Sequence, residues 1–192
     1  MRSFSKKEQS SVVGDELTST MDSFSKTMRL VAGALLGSLA FILQSAGVFA
    51  GVGYILSILS TGPLVLASIL SLRLGVMTYF VTIFLLAMFQ PSELFVFPCT
   101  TGLLGLSLGM GLKCLKRSVL IVTFSALCLT IGISILLYGI KFPILGPAIT
   151  AQFSSVVIFG VFAFSLLYSW IWQILSTSAI KLLNKILSRR SF

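Results

Sequence analysis

The sequence has no histidine and few charged residues, and both shortages exclude classes of protein. Only 10% of its 192 residues are charged, whereas soluble domains average about 25%. Without histidine the chain lacks a Ser–His pair and imidazole zinc ligands, and its three cysteines form no C-x-x-C pair. Four of its five acidic residues lie within the first 29 residues, so no aspartate pair falls in an apolar segment. We therefore expect a protein that is not an enzyme and that holds no metal or other cofactor.

The positive charge balance does not indicate a nucleic-acid partner. The chain carries 14 Lys and Arg residues against 5 acidic ones, a net charge of +9. The basic residues lie between long apolar runs and near both ends of the chain, and aromatic residues do not alternate with them. This distribution favours membrane lipid as the partner, because anionic headgroups attract cations beside apolar spans.

Apolar residues make up 56% of the chain, and the mean hydropathy is +1.05. An apolar helix needs about 20 residues to cross a bilayer, and these runs lack the alternation of barrel strands. We predict an all-α integral membrane protein with a six-transmembrane-helix bundle. The predicted chain has three parts in order: a polar cytoplasmic tail (residues 1–29), a transmembrane domain (30–175) and a basic amphipathic cytoplasmic tail (176–192). The predicted spans are Leu30–Ala50, Val52–Leu72, Leu74–Phe89, Leu94–Leu112, Ser118–Ile140 and Ile149–Leu175.

The positions of the cations give the predicted bundle an orientation. With six spans, Lys141 is the single basic residue on one side, and the rest of the 14 Lys and Arg fall on the other side. Cytoplasmic segments are enriched in Lys and Arg. The pattern therefore predicts that both termini are cytoplasmic and that Lys141 lies outside.

Small residues in the first span suggest a helix contact. Gly33 and Gly37 are four residues apart, with Ser38 beside them. Such spacing lets a second helix approach closely. That second helix could belong to the same bundle or to a partner subunit, and the sequence leaves both open. A further set of small residues lines one face of the fourth span: Gly102, Gly105 and Gly109.

Polar and aromatic residues collect at the predicted outer ends of the spans. One interpretation is an interfacial belt, with the amides bonding neighbouring helices. The other is a pocket for a small solute, in which apolar walls surround a few convergent polar groups. The candidate substrate-binding residues are Gln90, Glu93, Lys141, Gln152, Phe97 and Tyr54.

Three stretches carry a resemblance to a known family: SKTMRLVAGALLGSLAFIL, GPLVLASILSLRLGVMTYF and GLLGLSLGMGLKCLKRS. Over residues 28–175 the chain resembles the substrate-binding S components of energy-coupling factor (ECF) transporters. More narrowly, it is similar to the YybS-like group of bacterial membrane proteins. The resemblance implies a six-helix bundle in the bacterial inner membrane with an outward-facing pocket for a micronutrient. It also implies two kinds of partner, a transmembrane coupling subunit and ABC ATPases. In that family small residues of the first helix contact the coupling subunit, and Gly33, Gly37 and Ser38 occupy the comparable place.

Two hypotheses of function follow. The first is an S-component-like subunit that binds a small solute for an ABC-type uptake transporter. The alternative is a structural or scaffold membrane protein of the MreD type, with no ligand, whose basic loops contact cytoplasmic partners. A small channel is a weaker third hypothesis, because the inner halves of the predicted spans are too apolar to line a pore.

Overall fold

A computed structural model describes residues 26–48, 52–115, 117–141 and 154–188 of the chain. These residues are almost entirely helical and form no β-strand. The predicted all-α class is confirmed over this part. Gln152 and the side chain of Tyr54 lie outside the described residues, as does most of the polar tail predicted for residues 1–29.

Four helices of the described chain precede the polar segment that begins at Gln90. They are α1 (Lys26–Ser45), α2 (Val52–Leu59), α3 (Thr61–Leu70) and α4 (Leu72–Phe89). A 3₁₀ turn, Ala46–Val48, continues from the end of α1. At the start of α4, Ser71 adopts an extended conformation that separates it from α3.

The second half of the described chain begins with a 3₁₀ turn, Pro91–Glu93. Four helices follow it: α5 (Val96–Cys99), α6 (Thr101–Cys114), α7 (Ser118–Ser134) and α8 (Ser155–Ser188). A π-helical turn, Ile135–Gly139, extends α7. The predicted boundary at residue 175 between the transmembrane domain and the basic tail falls within α8, which continues without a break.

Five helical segments of the described chain are long and apolar enough to cross a membrane. They are Lys26–Ser45, Leu72–Phe89, Pro91–Cys114, Ser118–Gly139 and Ser155–Leu182. They overlap five of the six predicted spans, with ends that differ by up to seven residues, and indicate a multi-pass membrane protein. The predicted second span, Val52–Leu72, is instead a shorter apolar segment, and the prediction of six full-length helices is not confirmed.

The second predicted span tightens at Ser60, between α2 and α3, where the backbone stays in the helical region with φ −59° and ψ −23°. Pro63 lies three residues after Ser60 and has no N–H group with which to bond the carbonyl of Leu59, as a continuous helix requires. The Ser60 N–H instead bonds the carbonyl of Ser57, at 3.1 Å. The chain therefore makes this passage with two short helices.

Helix α3 occupies the centre of the bundle. It packs against α1, α4, α6 and α8, and seven of its ten residues are buried. The apolar core around it includes Leu64, Val65 and Ile69. Helix α7 packs mainly between α6 and α8. The second half of this passage, α3, is thus enclosed by the other helices.

The outward surface of the bundle is apolar. Leu35 on α1 is 66% exposed, and Phe84 and Phe89 on α4 are 65% and 69% exposed. Large apolar side chains at this exposure are what a lipid environment accommodates and water does not. The small and polar residues point inward instead, among them Thr78 and Thr82, which are fully buried.

Successive passages run in opposite directions, so that the bundle has two chemically different ends. Gln44, Ser60, Glu93 and Thr101 come together at one end, which we call the Glu93 end. The opposite end, called the Lys113 end, holds the Lys113 ammonium group, which bonds the Leu70 carbonyl at 3.4 Å. Its described basic residues are Lys26, Arg29, Arg73, Lys113, Arg117 and Lys181.

Candidate functional site

Two of the passages through the bundle depart from regular α-helix near the Glu93 end. The first departure is the tightened turn at Ser60, between α2 and α3, where the backbone stays helical. The second is a break at Thr100, where φ is −122° and ψ is −98°, and it separates the four-residue helix α5 from α6. Each departure has a proline close by, Pro63 or Pro98, which cannot donate a backbone hydrogen bond within a helix. The two departures leave backbone and side-chain polar groups inside an apolar bundle.

The side chain of Gln44, on α1, joins these two positions. Its Oε1 accepts a hydrogen bond from the Ser60 hydroxyl at 2.7 Å and another from the Thr101 hydroxyl at 2.9 Å. Gln44 is only 1% exposed. A buried amide requires such partners, because an unpaired polar group in an apolar environment is costly. Gln44 therefore fixes the first residues of α3 and α6 relative to α1.

Glu93 completes this arrangement from the 3₁₀ turn that follows α4. The Gln44 Nε2 group donates a hydrogen bond to Glu93 Oε2, at 2.8 Å. The second carboxylate oxygen, Oε1, faces Gly47, where an added Cβ would lie 3.8 Å from it. Glu93 is half-buried, and its carboxylate lies between the Gln44 amide and the backbone of Gly47.

The polar groups continue from this point toward α8. The Thr61 hydroxyl donates to the backbone carbonyl of Thr101, at 3.4 Å. Beside Thr61, a Cβ added at Gly62 would lie 3.7 Å from the Trp172 ring of α8. We call Gln44, Ser60, Thr61, Glu93 and Thr101 the Gln44 cluster. It links α1, α3, α6 and the Pro91–Glu93 turn, and its edge reaches α8.

Glu93 is the single acidic residue after Asp22 in the sequence. Within the described residues its carboxylate has one hydrogen bond, from Gln44, and no ion pair with Lys or Arg. No group of three His, Cys, Asp or Glu side chains comes together in this part of the chain. The chemistry that the Gln44 cluster offers is therefore hydrogen bonding around one carboxylate.

The predicted substrate-binding residues occupy different positions in the fold. Glu93 belongs to the Gln44 cluster. Gln90 is half-buried on the same turn, and its carbonyl accepts the Glu93 N–H at 3.1 Å. Phe97 is fully buried in the core beside Tyr79, with ring centroids 5.9 Å apart. Lys141 is exposed just after the π-helical turn, where its φ is 58°. The structure thus brings Gln90 and Glu93 together and leaves Phe97 within the packing of the core.

The glycines of the predicted docking face pack within the chain. A Cβ added at Gly33 would lie 3.0 Å from Leu74, and one at Gly37 would lie 2.8 Å from Val81. The carbonyls of the same two glycines accept hydrogen bonds from Thr78 and Thr82 of α4, at 3.4 and 3.1 Å. Helix α4 therefore covers Gly33 and Gly37, while Ser38 next to them is half-buried.

Four members of the Gln44 cluster are absent from the sequence-based candidates for substrate binding, namely Gln44, Ser60, Thr61 and Thr101. One signal for them is present in the sequence: Gln44 is an amide inside a long apolar run. The other signal is Pro63, because a proline within a predicted span marks a break whose backbone groups need partners. These two signals together point to the end of the bundle at which the cluster lies.

Comparisons of the chain with models of protein families, with curated proteins and with solved structures found no match. These comparisons therefore assign no role to the Gln44 cluster.

Proposed function

We propose that this protein is a small-solute-binding subunit of a membrane uptake system, of the ECF S-component-like kind, with its binding site at the Gln44 cluster. The observation that carries the proposal is the meeting of the first residues of α3 and α6 at one buried amide, next to the helix break at Thr100. In membrane proteins, irregular backbone at membrane depth is tolerated where it is buried in protein or lines a cavity. Many transporters build their substrate sites from such discontinuous helices.

The direction of the two helices supports the same proposal. Both α3 and α6 begin at the Gln44 cluster and run toward the Lys113 end. The first turns of a helix leave backbone N–H groups without helical partners, and the helix dipole is positive there. Of the two helices, α6 follows a break in the backbone at Thr100, and the Glu93 carboxylate is linked to its first residue through Gln44.

A solute would be recognised at Oε1 of Glu93. The Gln44 amide holds Oε2, so that the carboxylate is oriented before a ligand arrives. Orientation in advance reduces the entropy lost on binding. Oε1 beside Gly47 is the group left for the solute, and Gln90 on the same turn is close enough to contribute a second contact. Any energy for uptake would come from partner subunits, namely a coupling subunit and ABC ATPases, in the bacterial inner membrane.

Native mass spectrometry of the protein, purified in mild detergent from its host membrane, tests the proposal. We expect a small molecule to remain bound to the wild type and to be lost from the Gln44→Leu variant. Thr123→Val is the matched control, because the Thr123 hydroxyl bonds only its own helix, at Val119, and is remote from the cluster.

Two results would count against this function. One is a wild-type protein that retains no small molecule and shows no thermal stabilisation by any compound of a nutrient panel. The other is co-purification with cell-wall or division proteins and no ATPase, which would support the alternative scaffold function.

A further inference from the structure

We propose that the solute bound at the Gln44 cluster is a small organic cation, recognised through an ammonium group that contacts Glu93 Oε1. This inference rests on the proposed function and adds the chemical class of the ligand. The inference depends on the Glu93 carboxylate, which has no ion pair with Lys or Arg among the described residues.

The sequence limits the cations that could neutralise Glu93. The stretches 30–72, 74–112 and 118–180 contain one basic residue between them, Lys141. Lys141 is exposed and forms no ion pair with Glu93 among the described residues. Among the described residues, the half-buried carboxylate at the Glu93 end of the bundle therefore has no partner of opposite charge. Charged groups inside a membrane protein are costly unless they are paired.

The contacts of Gln44 favour an ammonium group over a metal ion. Calcium takes six to eight oxygen ligands, and magnesium requires near-octahedral oxygen coordination. Gln44 Oε1 already accepts two hydrogen bonds, from Ser60 and Thr101. Glu93 is then the main source of free oxygen ligands, which is too few for either metal ion. An ammonium group needs only one charged acceptor and an apolar surround.

A solute of another charge would fit this position poorly. An anion would meet the Glu93 carboxylate directly, and like charges at such distances repel strongly in an apolar environment. A neutral solute could accept or donate a hydrogen bond but would leave the charge of Glu93 uncompensated. The expected order of affinity is therefore cation, then neutral compound, then anion.

Three probes of nearly equal size, n-butylammonium, n-butanol and butyrate, separate these cases, and sodium ion is the fourth probe, a cation without an apolar chain. Each is added to the full-length protein in lipid nanodiscs at matched ionic strength, and the thermal unfolding midpoint is measured. We expect n-butylammonium to raise the midpoint and the other three to leave it near its starting value. An equal shift with sodium would assign the site to a metal cation and overturn the proposal.

Two isosteric variants make the test specific. Glu93→Gln keeps the size and the contact with Gln44 but removes the charge, and we expect it to weaken n-butylammonium binding about tenfold or more. Lys141→Gln removes the one basic residue that the described part of the chain has at this end, and we expect binding of the same probe to be unchanged or stronger. Unchanged n-butylammonium binding in Glu93→Gln would contradict the inference.

The two proposals fail in different ways. If native mass spectrometry finds a retained anion or neutral molecule that is lost from Gln44→Leu, the protein binds a solute and the cation inference is wrong. If no molecule is retained and no probe or nutrient shifts the unfolding midpoint, the proposed function itself is wrong.

Discussion

The backbone of Gly109 on α6 packs directly against Ser68 on α3, so that a Cβ added at Gly109 would overlap the Cβ of Ser68. Gly75 on α4 approaches the same serine, and a Cβ there would overlap the Ser68 hydroxyl. Ser68 is fully buried between them. Two glycines thus allow α4 and α6 to enclose α3, which explains how a ten-residue helix comes to lie at the centre of a membrane bundle.

Replacing Gly109 by alanine should therefore destabilise the bundle. The added methyl group must push α6 away from α3, and overpacking of this kind costs about 1–3 kcal/mol. We expect a lower thermal unfolding midpoint for Gly109→Ala in detergent, measured by tryptophan fluorescence. Gly160→Ala is the matched control, because a Cβ at Gly160 meets nothing within 4 Å. Equal midpoints for the two variants would show that α3 and α6 do not pack this closely.

Features of this fold that depend on residues close in sequence could be predicted, whereas contacts between distant residues could not. Apolar runs gave the positions of five spans, because the length of a helix is a local property. Pro63 is a local signal for the irregular turn at Ser60, although the six-span prediction treats Val52–Leu72 as one continuous helix. Gly33 and Gly37 were identified as a contact face, whereas their partner helix α4 was not, since nothing local connects residues 45 positions apart.

The candidate site shows the same limit more sharply. Glu93 was predicted because it is a lone carboxylate among apolar residues. Gln44 was not predicted, although its amide is essential to the cluster, since the Thr101 hydroxyl that it binds lies 57 residues away in the sequence. Phe97 was predicted as an outer aromatic residue, yet it packs in the core because the short helix α5 turns it inward. Polar networks of this kind depend on three-dimensional proximity, which hydropathy does not encode.

The Thr101 hydroxyl should contribute measurably to stability through Gln44. Thr101→Val keeps the shape of the side chain and removes one of the two hydrogen bonds to Gln44 Oε1. Hydrogen bonds between membrane helices contribute about 0.6 kcal/mol on average and up to about 1.7 kcal/mol. We expect a loss in this range from reversible unfolding in detergent. Thr123→Val, which removes a hydroxyl bonded within its own helix, should change the free energy of unfolding by less. A larger loss for Thr123→Val would argue against a structural role for the cluster.

Removing the Ser169 hydroxyl on α8 should not reduce the stability of the bundle, in contrast to removing the Thr101 hydroxyl. Its side chain is fully buried, and its hydroxyl has no hydrogen-bond partner among the described residues. An unpaired buried hydroxyl costs free energy, so Ser169→Ala should leave the bundle equally stable or more stable. Ser176→Ala is the comparison, because the Ser176 hydroxyl bonds the Trp172 carbonyl at 2.6 Å. If Ser169→Ala is the less stable of the two variants in thermal unfolding, the hydroxyl has a partner, such as a bound water.

Labelling of thiols from the two sides of the membrane tests the orientation of the bundle. If the Lys113 end faces the cytoplasm, the Gln44 cluster lies toward the outside. Cys114, at the Lys113 end, is exposed, whereas Cys99 and Cys128 are half-buried. Because Lys and Arg concentrate at the Lys113 end, we expect this end to face the cytoplasm. A membrane-impermeant maleimide should then react with Cys114 in inverted vesicles and not in intact cells. In a Cys114→Ser background, Lys141→Cys should react in intact cells, since Lys141 lies on the opposite side. Reaction of both positions from one side of the membrane would contradict the alternating directions of successive helices. It would also contradict access of a solute to Glu93 from outside the cell.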